Sequence, residues 1–258
     1  MIRRLRLAWP HQFVPEAPER DGRRPFRLLA ASDEVTPSLE FEQNRESIGP
    51  IDGVLGCGDL EPEYLSFLAE AFRVPMLHVR GNHDRGANWT AHAGQLPSPL
   101  DARTDNIAGL PVAGLSWPGS ERGSAIRDET DAWQQALSLY LRAVFGKRPL
   151  IVISHVPPRG LGDTPEDAYH RGFAAYHWLC RRLRPRLWLH GHTSRAAIRD
   201  WCVEWGSTTL VNVTGAVLIE LADVSASGAT IESSNESGDS ARSRCGPAGS
   251  SPNETEEP

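Results

Sequence analysis

Gly81-Asn82-His83-Asp84 decides the fold of this chain, together with a second stretch, His190-Gly191-His192-Thr193-Ser194. A short apolar run leads into each stretch, Val74–Val79 in the first case and Leu187–His190 in the second. A run that is apolar on both faces and bounded by Gly, Pro or polar residues is typical of a buried strand of a parallel sheet. Ligand sites form beyond the carboxyl ends of such strands, so both stretches are expected at one functional rim.

Apolar runs and amphipathic segments alternate along the chain. Further strands are predicted at Arg27–Ala31, Ile51–Cys57 and Leu150–Ser154, and helices at Glu61–Phe72, Asp128–Phe145 and Phe173–Leu183. This alternation indicates an α/β fold with a sheet that is largely parallel at its centre.

Two stretches, Ile107–Trp117 and Ala197–Leu221, break the alternation of strands and helices. In the second, Thr208–Val213 and Ala216–Leu221 are predicted strands joined by a short Thr-Gly turn. Strands without intervening helices indicate an antiparallel contribution, either a second sheet or added edges. We therefore predict a mixed α/β sandwich.

The composition predicts one folded domain between two segments without a core. Residues 1–25 are rich in Arg, Pro and Glu without steady periodicity, and we expect a mobile arm. Residues 222–258 are dominated by Ser, Gly, Asn and Glu and are expected to be a disordered tail. The folded domain is then expected at residues 26–221.

Charge and cysteine usage restrict the partners and the compartment. A net charge of -6 argues against nucleic acid as a general partner. No apolar run approaches the ~20 residues of a membrane span, and the basic start lacks the apolar stretch of a signal peptide. The four cysteines are far apart and fit reduced thiols, so we predict a cytoplasmic protein that does not contact a membrane. The oligomeric state is left open.

Polar side chains with metal-binding atoms follow five of the predicted strands. Carboxylate oxygens, imidazole nitrogens and an amide oxygen together suit a divalent ion such as Mn, Fe or Zn. Each group alone has an ordinary structural explanation, such as a turn at Gly58-Asp59 or a strand-end histidine at His155. Their joint order after strands favours a metal site. The candidate metal ligands are Asp33, Asp59, Asn82, His155 and His192.

The ordered series resembles the calcineurin-like metallophosphoesterases, whose pattern runs D-x-H, G-D, G-N-H-D/E, H and G-H-x-H. The match covers about residues 27–213. The resemblance implies a two-sheet β-sandwich flanked by helices in four layers (α/β/β/α), and a two-metal site that hydrolyses phosphate esters. It further implies that Asp59 bridges two metals, that Asn82, His155 and His192 complete the second site, and that Asp33 belongs to the first.

The resemblance also gives roles to the two residues after Asn82. His83 would be the acid that protonates the leaving oxygen or steadies the phosphoryl group, with Asp84 as its partner. We therefore predict these two residues as catalytic.

The chain departs from the family pattern at one metal site only. The histidine of the first motif is replaced by Val35, and the last histidine of G-H-x-H by Ser194. We therefore expect one firmly held divalent metal and leave the second undecided. Glu34, His170 and His190 are the candidates to supply a replacement ligand.

Hydrolysis of a small phosphate ester, either a monoester or a diester, is the predicted function. The alternative is a non-catalytic protein of the same fold that serves as a scaffold or binding surface, which the replacements at Val35 and Ser194 motivate. A nucleic-acid enzyme is a third hypothesis, suggested by the basic run 181–186. Those arginines end a predicted helix, where cations are favoured in any case.

Overall fold

A computed structural model describes residues 2–10, 24–119, 126–145, 151–197, 200–223 and 246–247 of the chain. The strands are β1 (Arg3–Trp9), β2 (Phe26–Ser32), β3 (Gly53–Cys57), β4 (Met76–Val79), β5 (Arg103–Ile107), β6 (Leu110–Leu115), β7 (Ile151–Ser154), β8 (Leu187–His190), β9 (Cys202–Trp205), β10 (Thr208–Asn212), β11 (Gly215–Asp223) and β12 (Gly246–Pro247). The helices are α1 (Glu42–Ile48), α2 (Pro62–Phe72), α3 (Gly86–Ala93), α4 (Glu129–Phe145) and α5 (Ala174–Leu183), and a 3-10 turn spans Pro37–Glu40.

The strands form two mixed sheets. The first has the order β1-β11-β2-β3-β4, and the second has the order β12-β9-β10-β8-β7-β6-β5. The centres are parallel, as in the β2-β3-β4 and β6-β7-β8 series, whereas β11 runs antiparallel to β2 and β9 antiparallel to β10. The predicted mixed α/β sandwich is confirmed.

The two sheets pack face to face and are covered by helices on their outer faces. The central strands show why: in β7, Ile151 and Ile153 point into the core shared by both sheets, and Val152 points to the core beneath α4 and α5. In β2, Leu29 and Ala31 pack in the core beneath α2. Because side chains alternate along a strand, continuous apolar runs supply both cores at once, which gives the four-layer α/β/β/α arrangement.

The predicted N-terminal arm is wrong for its first part. Residues 3–9 form β1, which pairs in parallel with β11 over its whole length. Leu5, Leu7 and Trp9 alternate with more exposed residues and enter the core between the sheets, so this segment is a half-buried edge strand. The remainder of the arm, residues 11–23, lies outside the described residues.

The predicted tail and the predicted Thr-Gly turn also need correction. Strand β11 continues to Asp223, and residues 246–247 pair with β9, whereas residues 224–245 and 248–258 lie outside the described residues. The Thr-Gly turn joins β10 of the second sheet to β11 of the first, because β10 pairs with β8 and β11 with β2. The turn therefore carries the chain from one sheet to the other.

Two further expectations concern the cysteines and membrane spans. Cys57 and Cys180 are free and buried, but Cys202 is disulfide-bonded, so the prediction of reduced thiols is wrong at that position. None of the helices within the described ranges has the length and apolarity of a membrane span.

Candidate metal centre

The loops that follow five parallel strands meet at one rim of the two sheets. Asp33, Asp59 and Asn82 come after β2, β3 and β4 of the first sheet. His155 and His192 come after β7 and β8 of the second. All five side chains are buried or nearly so. The structure thus brings the five candidate ligands together, as their order in the sequence predicts, while their roles remain predictions.

Glycines allow these loops to approach one another closely. A Cβ atom on Gly81 would lie 2.1 Å from Asp59 Oδ1, and one on Gly191 would lie 2.2 Å from Asp33 Oδ2. Neither distance leaves room for a side chain, so glycine is required at both positions for the carboxylates to take their places.

Three side chains converge on the ring of His155. Its Nε2 atom is 2.9 Å from Asn82 Oδ1, 3.2 Å from Asp59 Oδ2 and 3.2 Å from His192 Nδ1. In a tetrahedral site with metal–ligand bonds of ~2.1 Å, neighbouring donor atoms are about 3.4 Å apart. The three distances to His155 Nε2 are somewhat shorter than that value. We call Asp59, Asn82, His155 and His192 the four-ligand side.

Carbonyl groups behind the two histidines fix which ring nitrogens carry hydrogen. His155 Nδ1 is 3.0 Å from the Cys57 carbonyl oxygen, and His192 Nε2 is 3.0 Å from the Tyr169 carbonyl oxygen. A carbonyl oxygen only accepts, so both of these nitrogens donate and the opposite nitrogens present lone pairs to the centre. Two lone pairs of nitrogen then face two oxygen atoms, an arrangement that a cation among them would stabilise.

The pKa values at this centre follow from burial and from the same neighbours. Burial lowers the pKa of His155, but the carboxylates of Asp59 and Asp33 outweigh it and raise the pKa to about 9. Burial and the neighbouring His155 lower the pKa of His192 to about 3. A proton on His155 therefore occupies the centre when no metal does, and the donor set fits a divalent ion.

Asp33 lies beside the four-ligand side, but its carboxylate has different hydrogen-bond partners. Its carboxylate accepts hydrogen bonds from the backbone N–H of His192, at 3.0 and 3.1 Å, and lies 3.3 Å from the Thr214 hydroxyl. Val35 and Ser194 are exposed, Val35 by 45%. We call Asp33, Val35 and Ser194 the Asp33 side. Ligand atoms of Asp33, Asp59 and His155 lie within 4.8 Å of one another and could hold an ion.

Three of the five candidate ligands have left-handed backbone conformations. The φ angles are 60° at Asp33, 55° at Asp59 and 66° at His192. Residues other than glycine adopt such angles at a cost of about 1–3 kcal/mol each, and such strain concentrates at functional sites. The left-handed conformation turns each of these side chains out of line with the preceding strand.

His83 and Asp84 differ sharply in their surroundings. His83 donates its backbone N–H to Asp59 Oδ1 at 2.8 Å, and its side chain is 70% exposed with Nε2 4.0 Å from Asp59 Oδ2. Asp84 is buried, and its Oδ2 accepts from the backbone N–H of Asp59 and Gly81 at 2.9 and 2.7 Å. Burial raises the pKa of Asp84 to about 7. His83 thus faces solvent, and Asp84 joins two loops.

The three candidate replacement ligands have distinct environments. Glu34 is exposed and pairs with Arg195 at 3.6 Å. His190 is buried beneath the site, with Nδ1 3.2 Å from the Gly191 carbonyl oxygen, and burial lowers its pKa to about 4. The ring of His170 lies 5.1 Å from that of His192, so the loop between β7 and α5 does fold back over the centre.

Tyr169 belongs to the centre although no sequence pattern indicated it. Its carbonyl oxygen accepts from His192, and its hydroxyl accepts from Asn82 Nδ2 at 2.6 Å. A backbone contact of this kind leaves no trace in the residue types. Tyr169 therefore orients two candidate metal ligands from the loop that also carries His170.

Comparison with solved structures gives several similar chains. One solved structure, TT1561 of Thermus thermophilus, superposes with a TM-score of 0.52 at 16% identity, over 74% of this chain and 90% of that one. GAP50, the anchor in the inner membrane complex of Plasmodium, gives 0.47 at 14% identity, over 74% and 72%. Vacuolar protein sorting 29 of Cryptosporidium parvum gives 0.37 at 13% identity, over 74% and 75%. At 16% identity the likeness to the Thermus thermophilus protein concerns the fold alone, and the other two, with TM-scores below 0.5, support no conclusion.

The sequence comparisons are more specific. No curated protein matches the chain significantly. The sequence model of the calcineurin-like phosphoesterases matches residues 50–195, more than half of the chain, and that range contains four of the five candidate ligands together with His83 and Asp84. The expected resemblance is thereby confirmed, and the chain belongs to the calcineurin-like phosphoesterase family.

Proposed function

We propose that this protein hydrolyses small phosphate esters with one firmly held divalent metal ion, Mn, Fe or Zn, bound by Asp59, Asn82, His155 and His192. The observation that supports this most is the set of lone pairs that converge within 2.9–3.2 Å around His155 Nε2. Family membership supports the same chemistry in its coarser form, metal-dependent hydrolysis of phosphoric esters. When bound, the metal supplies a Lewis acid for a phosphoryl oxygen and lowers the pKa of water.

His83 is the proposed proton donor to the leaving oxygen. Its backbone is fixed to Asp59, while its ring projects into solvent beside the centre, where an ester oxygen could approach. A general acid must reach the leaving atom and exchange protons with water, and a ring that is 70% exposed meets both needs.

Asp84 is proposed to position the site instead of transferring protons. Its carboxylate oxygen accepts from both loops that carry Asp59 and Asn82, and the residue is 4% exposed. A buried acceptor with two backbone donors holds loop geometry. This assignment changes the predicted catalytic role of Asp84.

Arg195 is the proposed contact for the phosphate group. Its Nε donates to the Thr214 carbonyl oxygen at 2.9 Å, and the Thr214 hydroxyl lies next to Asp33. The guanidinium stacks against Gly215, where a Cβ atom would clash with it. Two other arginines near the loop, Arg159 and Arg171, bond to the loop itself or to Glu129. We assign this role to Arg195, which also pairs with Glu34, because it lies beside Thr214 and Asp33.

Metal content and hydrolysis together test this proposal. Purified protein is loaded with Mn, Fe, Zn, Ni or Mg and assayed with a chromogenic phosphomonoester and a phosphodiester. We expect turnover with at least one metal and its loss in Asp59→Asn. Absence of turnover with every metal, combined with unchanged metal content in Asp59→Asn, would overturn the proposal.

A non-catalytic scaffold is the second candidate, and the loss of both first-site histidines favours it. A scaffold that binds metal would retain an ion but show no turnover with either ester. In a scaffold, His83→Ala would leave the metal content unchanged and turnover absent. In the enzyme, the same substitution lowers turnover by about 100-fold.

A further inference from the structure

Strand β1 brings Arg3 to the rim that carries the candidate metal ligands. The strand runs parallel to β11 from its first residue, and β11 runs antiparallel to β2 with Gly215 opposite Ser32. Asp33 follows Ser32 directly, so β1 begins at the rim where β2 ends. Side chains alternate along a strand, and Leu5 enters the core between the two sheets. Arg3 therefore lies on that inner face, at its rim.

Two guanidinium groups converge on the Thr214 carbonyl oxygen. Arg3 Nη2 donates to this oxygen at 2.6 Å, and Arg195 Nε donates to it at 2.9 Å. The hydroxyl of the same threonine lies 3.3 Å from Asp33 Oδ2, so both cations belong to the Asp33 side. Burial and the charge of Arg195 lower the pKa of Arg3 to about 10, and Arg3 therefore stays charged at neutral pH. We call Arg3 and Arg195 the arginine pair.

The carboxylates near the arginine pair leave it able to accept an anion. Glu34 lies 3.6 Å from Arg195, but the two side chains are 49% and 45% exposed, and such a pair is weak. Within the ranges that the structure describes, no carboxylate lies within 4.0 Å of the Arg3 guanidinium, and its buried Nε has no hydrogen-bond partner. Two repelling cations favour a ligand with several acceptor oxygens.

The arginine pair lies on the side where the family pattern has its first metal ion. Val35 and Ser194 replace the two histidines of that site, and Arg195 follows Ser194 directly. A guanidinium carries a permanent charge and binds phosphate oxygens through parallel N–H groups, so it can supply electrostatic stabilisation there. We propose that Arg3 and Arg195 together bind the phosphate group of the substrate in place of a first metal ion. This inference rests on the proposed function.

The number of free phosphate oxygens then decides the substrate class. A phosphomonoester has three terminal acceptor oxygens, so two can accept from the arginine pair while the third remains for the four-ligand side. A diester has one terminal oxygen fewer, and it also carries less negative charge at neutral pH. The arginine pair therefore favours phosphomonoesters over phosphodiesters.

Anion binding by the metal-free protein tests the arginine pair without any turnover. The full chain is stripped of metal on a chelating resin and titrated calorimetrically, at low ionic strength, with inorganic phosphate and with dimethyl phosphate. We expect a Kd of about 1 mM for phosphate and binding about tenfold weaker for dimethyl phosphate, which has the free oxygens of a diester. Arg3→Met and Arg195→Met are each expected to weaken phosphate binding about tenfold. Arg6→Met makes the same change at an exposed position of β1 and should leave it unchanged.

The outcomes separate this inference from the proposed function. Phosphate binding that neither Arg3→Met nor Arg195→Met weakens, or equal affinity of the natural chain for the two anions, overturns the inference. If Arg3→Met shows no cooperative thermal unfolding, Arg3→Lys replaces it, with an expected loss of about threefold because one parallel N–H pair is lost. An unchanged affinity in Arg3→Lys would then overturn it. Failure of the metal-loaded protein to turn over an ester contradicts the proposed function and leaves these binding results standing.

Discussion

The four-ligand side and the Asp33 side lie next to each other, yet they differ in how many candidate metal ligands converge. At the four-ligand side, Asn82 Oδ1, Asp59 Oδ2 and His192 Nδ1 converge on His155 Nε2. At the Asp33 side, the carboxylate already receives the His192 backbone N–H. Each side includes a carboxylate with a backbone donor, since Asp59 Oδ1 accepts from the His83 N–H, but the four-ligand side adds an amide oxygen and two imidazole nitrogens around one point. The difference supports one firmly held ion.

Removing Asp59 is expected to have the largest effect. Four-ligand zinc sites contribute about 10–16 kcal/mol of binding free energy, so loss of one charged ligand should weaken metal binding by about 100-fold or more. Isothermal titration with Zn or Mn measures this for Asp59→Asn. Asp105→Asn, which makes the same change on the exposed strand β5, is the control. Equal affinities in the two variants would contradict the four-ligand side.

Restoring the two missing histidines should convert one side into a copy of the other. In Val35→His with Ser194→His we expect a second equivalent of metal, because the new imidazoles would offer ligands beside Asp33. Elemental analysis of the dialysed protein gives the stoichiometry. Two tightly held ions in the natural chain would instead contradict the inference that only the four-ligand side holds a metal firmly.

The pH dependence of metal binding should show the proton that the metal displaces. His155 has a pKa of about 9 without metal, so below that pH the metal-free centre holds a proton that binding releases. Affinity should therefore rise with pH, by up to about tenfold per unit between about pH 6 and about pH 8, and level off above the pKa. Titrations in buffers of different ionisation enthalpy count the released proton. A flat profile would mean that His155 is not a ligand.

Tyr169→Phe is expected to weaken metal binding about tenfold. The hydroxyl that orients the Asn82 amide is lost, while the carbonyl contact to His192 persists, so the effect falls at the lower end for residues that orient ligands. Tyr140→Phe removes a hydroxyl on α4 and serves as the matched control. Unchanged affinity in Tyr169→Phe would assign the loop no part in metal binding.

Ser194→Ala should have the smallest effect, within about twofold on metal affinity, because the Ser194 side chain is exposed to solvent. The same titration measures it. A loss of metal affinity as large as that of Asp59→Asn would indicate that Ser194 is a metal ligand. It would contradict the difference between the two sides.

Much of this site could be predicted from the sequence because parallel strands deliver their next residues to one rim. Asp59 and His155 could be grouped on that basis alone, before any distance was known. Tyr169 could not, because a carbonyl oxygen is common to every residue and only the folded loop decides which one faces His192.

The fold was predictable to a similar extent. Strands β2, β3 and β8 were evident as continuous apolar runs, whereas β1 was missed because arginines surround its apolar positions. Its alternation of Leu5, Leu7 and Trp9 was nevertheless a readable signal of a half-buried strand. The change of sheet at Thr214-Gly215 depends on long-range pairing that no local pattern encodes.

The left-handed backbone at Asp33, Asp59 and His192 has a consequence for how this protein would change under selection. Glycine accepts those angles without strain, so a glycine at any of the three positions relieves backbone strain while deleting a candidate ligand. A library screened for thermal stability alone should accumulate glycine at these positions, and one screened for metal retention should not. Stability alone therefore does not explain why the chain has Asp or His at these three positions, whereas metal binding does.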